Sequence, residues 1–214
     1  PALAEDLHAL NVLADLYEGL LTFDAEGSPV PGVAERWSVS PDGLVYRFEL
    51  RLDARWSNGR PVTAEDFVHG FRHVLRAGSD SPVAFLLEPV KGVRAEGARD
   101  LTVELHRPAA WLPTVLAMPV AAPRLPGIHD RASAFTNPAA FVGNGPYLLE
   151  EWTPGGVLRL RRNPVYRDAA SVAIEAVHYQ PVTDPVAEYN LYRSGALELT
   201  STVPPSEISQ LRRD

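Results

Sequence analysis

The sequence predicts a mixed α/β protein in which amphipathic helices alternate with short strands and tight turns. Apolar residues recur at helical spacing from Asp6 to Leu20 and at alternate positions from Tyr46 to Leu50. The 214 residues are 45% hydrophobic and 22% charged, which is ordinary for a chain with a substantial core. No repeat and no low-complexity segment interrupts this alternation.

The N-terminal elements are predicted from the spacing of apolar residues and from the positions of glycine and proline. Asp6 to Leu20 is predicted as one helix whose last turn Gly19 weakens. Leu21 to Phe23 then begins a short strand. The stretch from Ala25 to Gly32 is rich in glycine and proline, so we expect a loop there and a crossing between domains.

The clearest local prediction is a hairpin over Trp37 to Arg51, turned by the Ser-Pro-Asp-Gly run from Ser40 to Gly43. A second turn at Ser57 to Gly59 precedes a helix that Thr63 caps, with Asp66 placed for a capping box. The predicted buried stripe of that helix is Phe67, Phe71, Val74 and Leu75.

The second half of the chain contains the same kinds of element. We predict a strand over Leu101 to Leu105 and a helix over Pro108 to Met118. A hairpin of Tyr147 to Trp152 with Val157 to Arg161 should follow, and then a strand over Val172 to Tyr179. The last predicted elements are a helix from Asp184 to Arg193 that Gly195 ends, a strand over Leu197 to Ser201 and a helix from Pro205 to Asp214.

The charge pattern argues against a nucleic-acid partner. The chain has 20 basic and 27 acidic residues, a formal net charge of −7, whereas binding a duplex requires clustered lysine and arginine. The densest basic run, Arg159, Arg161 and Arg162, alternates with leucines as a strand would. We therefore expect no binding to nucleic acid.

Cysteine is absent, which excludes disulfides and thiolate chemistry and is compatible with an oxidising compartment. The longest apolar run, Val115 to Pro123, has nine residues and two prolines, too few and too broken for a membrane-spanning helix. No signal-like segment precedes Pro1, so we expect any export signal to have been removed or omitted.

No catalytic or metal-binding set can be assembled from the residues. His69 and His73 have the spacing of a zinc pair, but Gly70 stands where a zinc protease requires glutamate. The Gly-Asn-Gly-Pro run from Gly143 to Pro146 lacks the lysine of a phosphate-binding loop. Because no nucleophile has a matching base, we expect neither an enzyme nor a bound cofactor or metal.

Seven short motifs point to a family when they are taken together. They are Asp15 to Leu21 (DLYEGLL), Pro31 to Trp37 (PGVAERW), Tyr46 to Arg51 (YRFELR), Trp56 to Phe67 (WSNGRPVTAEDF), Asn144 to Tyr147 (NGPY), Arg162 to Tyr166 (RNPVY) and Tyr192 to Glu198 (YRSGALE). Their order and spacing resemble the oligopeptide-binding proteins among the family 5 extracellular solute-binding proteins, over nearly the whole chain.

The resemblance implies one lobe of a periplasmic-binding-protein-like type II fold: a mixed sheet with an inserted second subdomain. Residues 1–24 and 143–214 would be the two segments of domain I, and residues 25–142 the inserted domain II. Crossings would fall at Phe23 to Ser28 and Phe141 to Gly145. Relatives are much longer, so the opposing lobe would follow Asp214.

The resemblance also implies a function and a site. The chain would belong to the solute-binding component of an ABC importer, which captures peptides outside the cytoplasm by hinged closure and delivers them to membrane permease subunits. Such a protein is periplasmic or anchored to the cell envelope. The resemblance, carried over residue by residue outside the motifs themselves, implies that the ligand-binding residues would be Glu5, Asp6, Leu7, Val83, Ser201, Thr202 and Val203.

Each of these residues also has an ordinary structural explanation. Glu5 could be a solvated charge at a helix start, Ser201 and Thr202 polar residues at a strand end, and Val83 part of the core. The resemblance places aromatic residues at Val83 and Ser201 in peptide binders, and both are absent here.

Three other interpretations stay open. The ligand could be a dipeptide, a murein peptide or a non-peptide solute such as nickel or a sugar. The chain could be part of a hydrolase whose nucleophile lies elsewhere. It could also be a truncated interaction module, whose exposed half-cleft would self-associate.

Overall fold

The computed structural model describes residues 6–76, 79–129 and 137–211. Its helices are α1 (Leu7–Leu16), α2 (Ala64–Leu75), α3 (Leu112–Leu116), α4 (Pro185–Arg193) and α5 (Pro205–Leu211). Its strands are β1 (Leu21–Phe23), β2 (Pro29–Pro31), β3 (Ala34–Val39), β4 (Val45–Leu50), β5 (Val90–Glu96), β6 (Asp100–Leu105), β7 (Tyr147–Trp152), β8 (Leu158–Arg162) and β9 (Ala176–Tyr179). Three short 3-10 helices span Ala84–Leu87, Pro119–Ala121 and Pro138–Ala140.

The strands form three sheets. The largest has the order β3-β4-β6-β5, a second contains β7-β8-β9, and β1 pairs with β2 alone. All these pairings are antiparallel. The mixed α/β class is confirmed, but the expected mixed sheet is not found in the described part of the chain, because every strand pair there is antiparallel.

The four-stranded sheet carries α2 on its apolar face. Phe48 and Leu50 on β4 and Phe67 and Phe71 on α2 are at most 2% exposed and belong to one continuous core. Alternation along β4 sends its charged residues to the opposite face, as the sequence predicts. The core extends into the three-stranded sheet through Leu160, which is fully buried.

The capping box of α2 forms as predicted. The Thr63 backbone N–H donates to Asp66 Oδ2 at 2.9 Å, and the buried Trp56 indole N–H donates to the same oxygen at 3.1 Å. Leu75, however, is 37% exposed, so its place in the buried stripe was predicted wrongly. It is the last residue of α2, beyond the point where the helix faces the core.

The first helix is shorter than predicted. It ends at Leu16, because the Glu18 backbone N–H donates to the side-chain oxygen of Asn144 and not to the helix. The Leu16 carbonyl in turn accepts from the Gly145 backbone N–H at 3.0 Å. A segment 126 residues away in sequence thus ends the helix.

The region from Ala25 to Gly32 is not simply a loop. Its second half forms β2, which pairs with β1 in the register Leu21 with Pro31 and Phe23 with Pro29. Asp24 organises the turn, because its Oδ1 accepts from the backbone N–H of Ser28 at 2.7 Å.

Two other elements are shorter than predicted, one because of prolines and one because of a turn. The helix expected over Pro108 to Met118 is the single turn α3, because Pro113 has no N–H and Pro119 forces Met118 into an extended conformation. The strand expected from Val172 begins only at Ala176, because residues 168–172 are occupied by turn hydrogen bonds.

The strand predicted over Leu197 to Ser201 is absent. Gly195 ends α4 with a φ of 76°, as expected. The backbone N–H groups of Ala196 and Leu197 both donate to the Leu191 carbonyl, and that of Ser201 donates to the Glu188 side chain. With these N–H groups occupied, no strand pairs with this segment within the described residues.

Candidate functional site

The structure places the predicted N-terminal ligand residues at the start of α1. Asp6 is exposed and caps the helix, its Oδ1 accepting from the Ala9 backbone N–H at 2.8 Å. Leu7 is the first residue of α1, where a backbone N–H has no partner within the helix. Glu5 lies outside the described residues. Asp6 thus has a structural role whether or not a ligand binds.

Val83 lies elsewhere in the sequence, just before the 3-10 helix Ala84–Leu87, for which it is the N-cap residue. It is half-buried and packs against the core. Its aliphatic side chain can offer a ligand only apolar contact. This arrangement agrees with the structural explanation given for Val83 above.

Ser201 and Thr202 are fastened to α4 by one carboxylate. Glu188 Oε1 accepts from the Ser201 backbone N–H at 2.7 Å and from its hydroxyl at 2.9 Å, and Oε2 accepts from the Thr202 hydroxyl at 3.1 Å. The Thr200 hydroxyl donates to the Thr202 carbonyl at 2.8 Å. We call Glu188 with residues 200–202 the Glu188 clasp.

The clasp holds an exposed segment that pairs with no strand among the described residues. Ser201, Thr202 and Val203 are all exposed, whereas Pro204 is buried and anchors the following helix. Partial desolvation of Glu188 opposes its ionisation, but the donors of Ser201, with Thr200 and Thr202, outweigh it and lower the pKa of Glu188 below the ordinary glutamate value.

This pKa gives the clasp a defined pH dependence. A carboxylate whose pKa is depressed in the folded state holds its partners above the ordinary pKa and releases them as the pH falls through the folded value. In an NMR titration, we expect the Ser201 amide shift to move with a midpoint below the ordinary glutamate pKa. Glu188→Gln should remove this transition, and a midpoint at or above the ordinary value would contradict the clasp.

The family motifs of the sequence meet at a second, buried place, which we call the motif junction. Asn144 is 3% exposed, and its side chain joins the Glu18 backbone from both sides. Its Oδ1 accepts from the Glu18 N–H at 3.2 Å and its Nδ2 donates to the Glu18 carbonyl at 2.9 Å. The amide side chain therefore imitates a neighbouring strand.

A buried ion pair completes the junction. Arg167 contacts Glu18 with its Nε at 3.1 and 3.0 Å and its Nη2 at 2.6 Å, and the Tyr166 hydroxyl donates to Glu18 Oε1 at 2.8 Å. Burial alone would lower the pKa of Arg167, but the Glu18 carboxylate outweighs it and raises that pKa. Burial and the same carboxylate raise the pKa of Tyr166. Both groups therefore keep their protons.

Glycine allows the chains to approach closely here. A Cβ on Gly145 would lie 2.5 Å from the Leu16 carbonyl carbon and 2.6 Å from the Tyr17 nitrogen. Asn163, fully buried, donates from Nδ2 to the Gly145 carbonyl at 2.9 Å. The buried asparagines of the NGPY and RNPVY motifs, Asn144 and Asn163, thus act as an internal lock.

Sequence reasoning found the motifs but not their partners. Neither Glu188 nor the Glu18–Arg167 pair was among the candidate residues. A signal for Glu188 existed in the hydroxyl run Thr200 to Thr202, whose middle residue follows Glu188 by thirteen positions, but such a run is common at strand ends. The ion pair joins positions 149 apart in sequence, with no local pattern to indicate it.

The described residues contain neither a metal-binding cluster nor a membrane-spanning helix. No group of three or more histidine, aspartate or glutamate side chains is arranged to hold a metal ion there. No described helix combines the length and the apolar character needed to cross a bilayer. The motifs and the candidate residues thus provide a packed junction and an exposed, hydrogen-bonded segment.

The profile of the bacterial extracellular solute-binding proteins, family 5 (Middle), matches residues 28–214. The chain belongs to this family. Two similar curated members come from Escherichia coli K12: the probable deoxycholate-binding periplasmic protein YgiS, 34% identical over 100% of this chain and 43% of its own length, and the periplasmic oligopeptide-binding protein OppA, 34% identical over 98% and 42%.

Solved structures of family members share the fold. OppA of Burkholderia pseudomallei superposes with a TM-score of 0.94 at 30% identity, covering 100% of this chain and 45% of the other. The type II lobe predicted from the motifs is thereby confirmed. The chain spans less than half the length of these family members.

Proposed function

We propose that this chain is the N-terminal part of a solute-binding component that captures peptides for an ABC importer. The observation that carries the proposal is the superposition of the whole chain on an oligopeptide-binding protein of the same family. A second support is the oligopeptide-binding relative that is 34% identical over 98% of the chain. The proposal includes no enzymatic step.

The binding mode follows from the chemistry of extended peptides. Such a ligand offers one N–H and one C=O per residue, so a site that pairs with the main chain accepts many sequences. The exposed segment Ser201 to Val203 and the first turn of α1 would supply polar groups from this lobe. The Glu188 clasp would hold the first of these in a fixed conformation before ligand arrives.

The organisation into domains belongs to the same proposal. Residues 1–24 and 143–214 would form domain I, and residues 25–142 the inserted domain II. One hydrogen bond supports the pairing of the two domain I segments, because the Gly145 amide donates to the Leu16 carbonyl at 3.0 Å. The motif junction would then be the internal lock of domain I, tying its two segments together.

Location and partners follow from the family. The full-length protein would act outside the cytoplasm, in the periplasm or at the cell envelope, and would present its ligand-bound form to membrane permease subunits. Ligand would favour the closed state of two lobes and shift that equilibrium. The opposing lobe would contribute the rest of the site.

A non-peptide solute is the second candidate. One of the most similar relatives is named as a probable deoxycholate-binding protein, at the same 34% identity as the oligopeptide-binding one. The side chains at positions 83 and 201 are smaller than the aromatic residues that the motifs of peptide binders place there. These two positions would enlarge the cleft for such a ligand.

The C-terminal part of the lobe exposes large apolar side chains, and burying them against another surface would be favourable. Large apolar residues with exposures from 38% to 84% follow one another through α4, the segment after it and α5: Val186, Tyr192, Leu199, Val203 and Ile208. We propose that they are covered by the opposing lobe and cause the isolated chain to self-associate.

The test is a comparison of peptides by titration calorimetry on the full-length protein. Peptides of three to five residues with different side chains should bind within about tenfold of one another. Methylation of one main-chain nitrogen should weaken binding by about tenfold, since a buried acceptor loses its donor. Binding of a bile acid or another non-peptide solute, with no heat from any peptide, would overturn the proposal.

A further inference from the structure

The structure contains a second candidate binding surface, far in sequence from the clasp. A groove of about 340 Å³ runs between the C-terminal half of α2 and strand β5. Its lining residues are Phe71, Arg72, Leu75, Arg76, Lys91, Gly92 and Val93. We refer to this surface as the α2–β5 groove.

The groove is basic in an acidic protein. Arg72, Arg76 and Lys91 are all exposed, and Lys91 is the only lysine of a sequence whose net charge is −7. Arg76 has one carboxylate nearby, Asp80 at 4.0 Å, and both side chains are more than half exposed. Within residues 6–76, 79–129 and 137–211, no carboxylate lies within salt-bridge distance of Arg72 or Lys91.

The neighbouring carboxylates are occupied by another arginine. Arg94, also on β5, forms ion pairs with Glu96 and with Glu104 of β6. Lys91 lies close enough to Glu104 to help lower its pKa, but the first cause of that shift is Arg94. The cations of the groove are therefore available to an external anion.

The shape of the groove suits an extended chain. Strand β5 is the last strand in the order β3-β4-β6-β5, so one side of it has no strand partner among the residues that the structure describes. Lys91 and Val93, two residues apart on β5, both line the groove, and the space above Gly92 between them is open. The edge of β5 offers main-chain groups to an added strand.

Two further features fit such a ligand. The register of β5 shifts between Val90 and Gly92, so Lys91 is the extra residue of a bulge that redirects its side chain. Leu75, 37% exposed at the end of α2, provides an apolar contact between the cations. We propose that the α2–β5 groove binds an acidic, extended segment of a partner protein.

This proposal is independent of the peptide cleft, and its test separates the two. The probe is a fluorescein-labelled peptide of alternating glutamate and valine, nine residues long, followed by anisotropy at about 20 and 200 mM NaCl. Binding should weaken with salt, because the cations are exposed. The same peptide with lysine in place of glutamate should not bind.

The variant Arg72→Glu/Lys91→Glu should weaken binding of the acidic probe by at least about tenfold, since like charges then face each other. The matched control is Arg47→Glu/Arg161→Glu, which makes the same change of charge at exposed arginines on other strands and should leave binding within about twofold. An excess of unlabelled tri-alanine, a peptide that the proposed function assigns to the cleft, should not displace the probe.

Three results would overturn the proposal. The control variant could lose binding as much as the groove variant, which would indicate general charge attraction. Tri-alanine could displace the probe, which would place it in the cleft. Lys91→Ala could promote dimerisation in sedimentation velocity while the probe fails to bind, which would show that the lysine and the bulge only protect a strand edge from unwanted pairing.

Discussion

Glu18→Gln is expected to lower the free energy of unfolding by about 3–5 kcal/mol, because it leaves the Arg167 guanidinium buried without a counter-charge. The Glu18 side chain is 4% exposed and that of Arg167 15% exposed, so water reaches little of the guanidinium that the carboxylate now contacts. Urea unfolding followed by tryptophan fluorescence measures the loss.

The matched control is Glu88→Gln. Glu88 pairs with Arg107 at 2.6 Å, but these side chains are 61% and 53% exposed. An exposed pair of this kind contributes at most about 1 kcal/mol. Similar losses in the two variants would contradict the view that the motif junction is held by a desolvated ion pair.

Gly145→Ala is expected to cost about 3 kcal/mol, because the added methyl group meets the backbone of residues 15–17 at the end of α1. The Leu16 carbonyl carbon would lie 2.5 Å from it and the Asp15 carbonyl oxygen 2.6 Å. Backbone cannot rotate away as a side chain can, so the two segments of the junction must separate.

Gly92→Ala is the control for this substitution. No atom lies within 4 Å of a Cβ placed on Gly92. We expect a change of no more than about 0.5 kcal/mol in the same urea experiment. A mild effect of Gly145→Ala, comparable with that at Gly92, would show that the close approach of the two segments can relax.

The elements that the sequence predicted correctly are those with local causes. The hairpin turn at Gly43 and the capping box at Thr63 are each determined within a few residues. Glycine supplies positive φ at the turn, and Asp66 accepts the Thr63 amide at the cap. Such signals work because every interaction they need lies in the same short segment.

The elements predicted wrongly are those ended by distant partners. Helix α1 stops at Leu16 because Asn144, far away in sequence, takes the Glu18 amide. The strand expected to end at Ser201 is missing because Glu188 takes the Ser201 amide. Neither event leaves a periodic trace in the segment concerned, so propensity and spacing could not indicate it.

The candidate site was predictable only through the resemblance to the family. The resemblance pointed to the segments at Asp6 and Ser201, but the structure gives Asp6 a capping role and makes Ser201 part of the clasp. Which residues contact a ligand stays a prediction. The α2–β5 groove had no counterpart in the sequence reasoning, because its cations come from a helix and a strand that only the fold brings together.

The most direct measurement of the central proposal is the affinity of this 214-residue chain for a peptide, compared with that of the full-length protein by calorimetry under identical conditions. If the chain is one lobe of a two-lobed clamp, it should bind at least about tenfold more weakly, a difference of about 1.4 kcal/mol, because the contacts of the opposing lobe are missing. Equal affinities would show that these residues form a complete site and would contradict the half-clamp proposal.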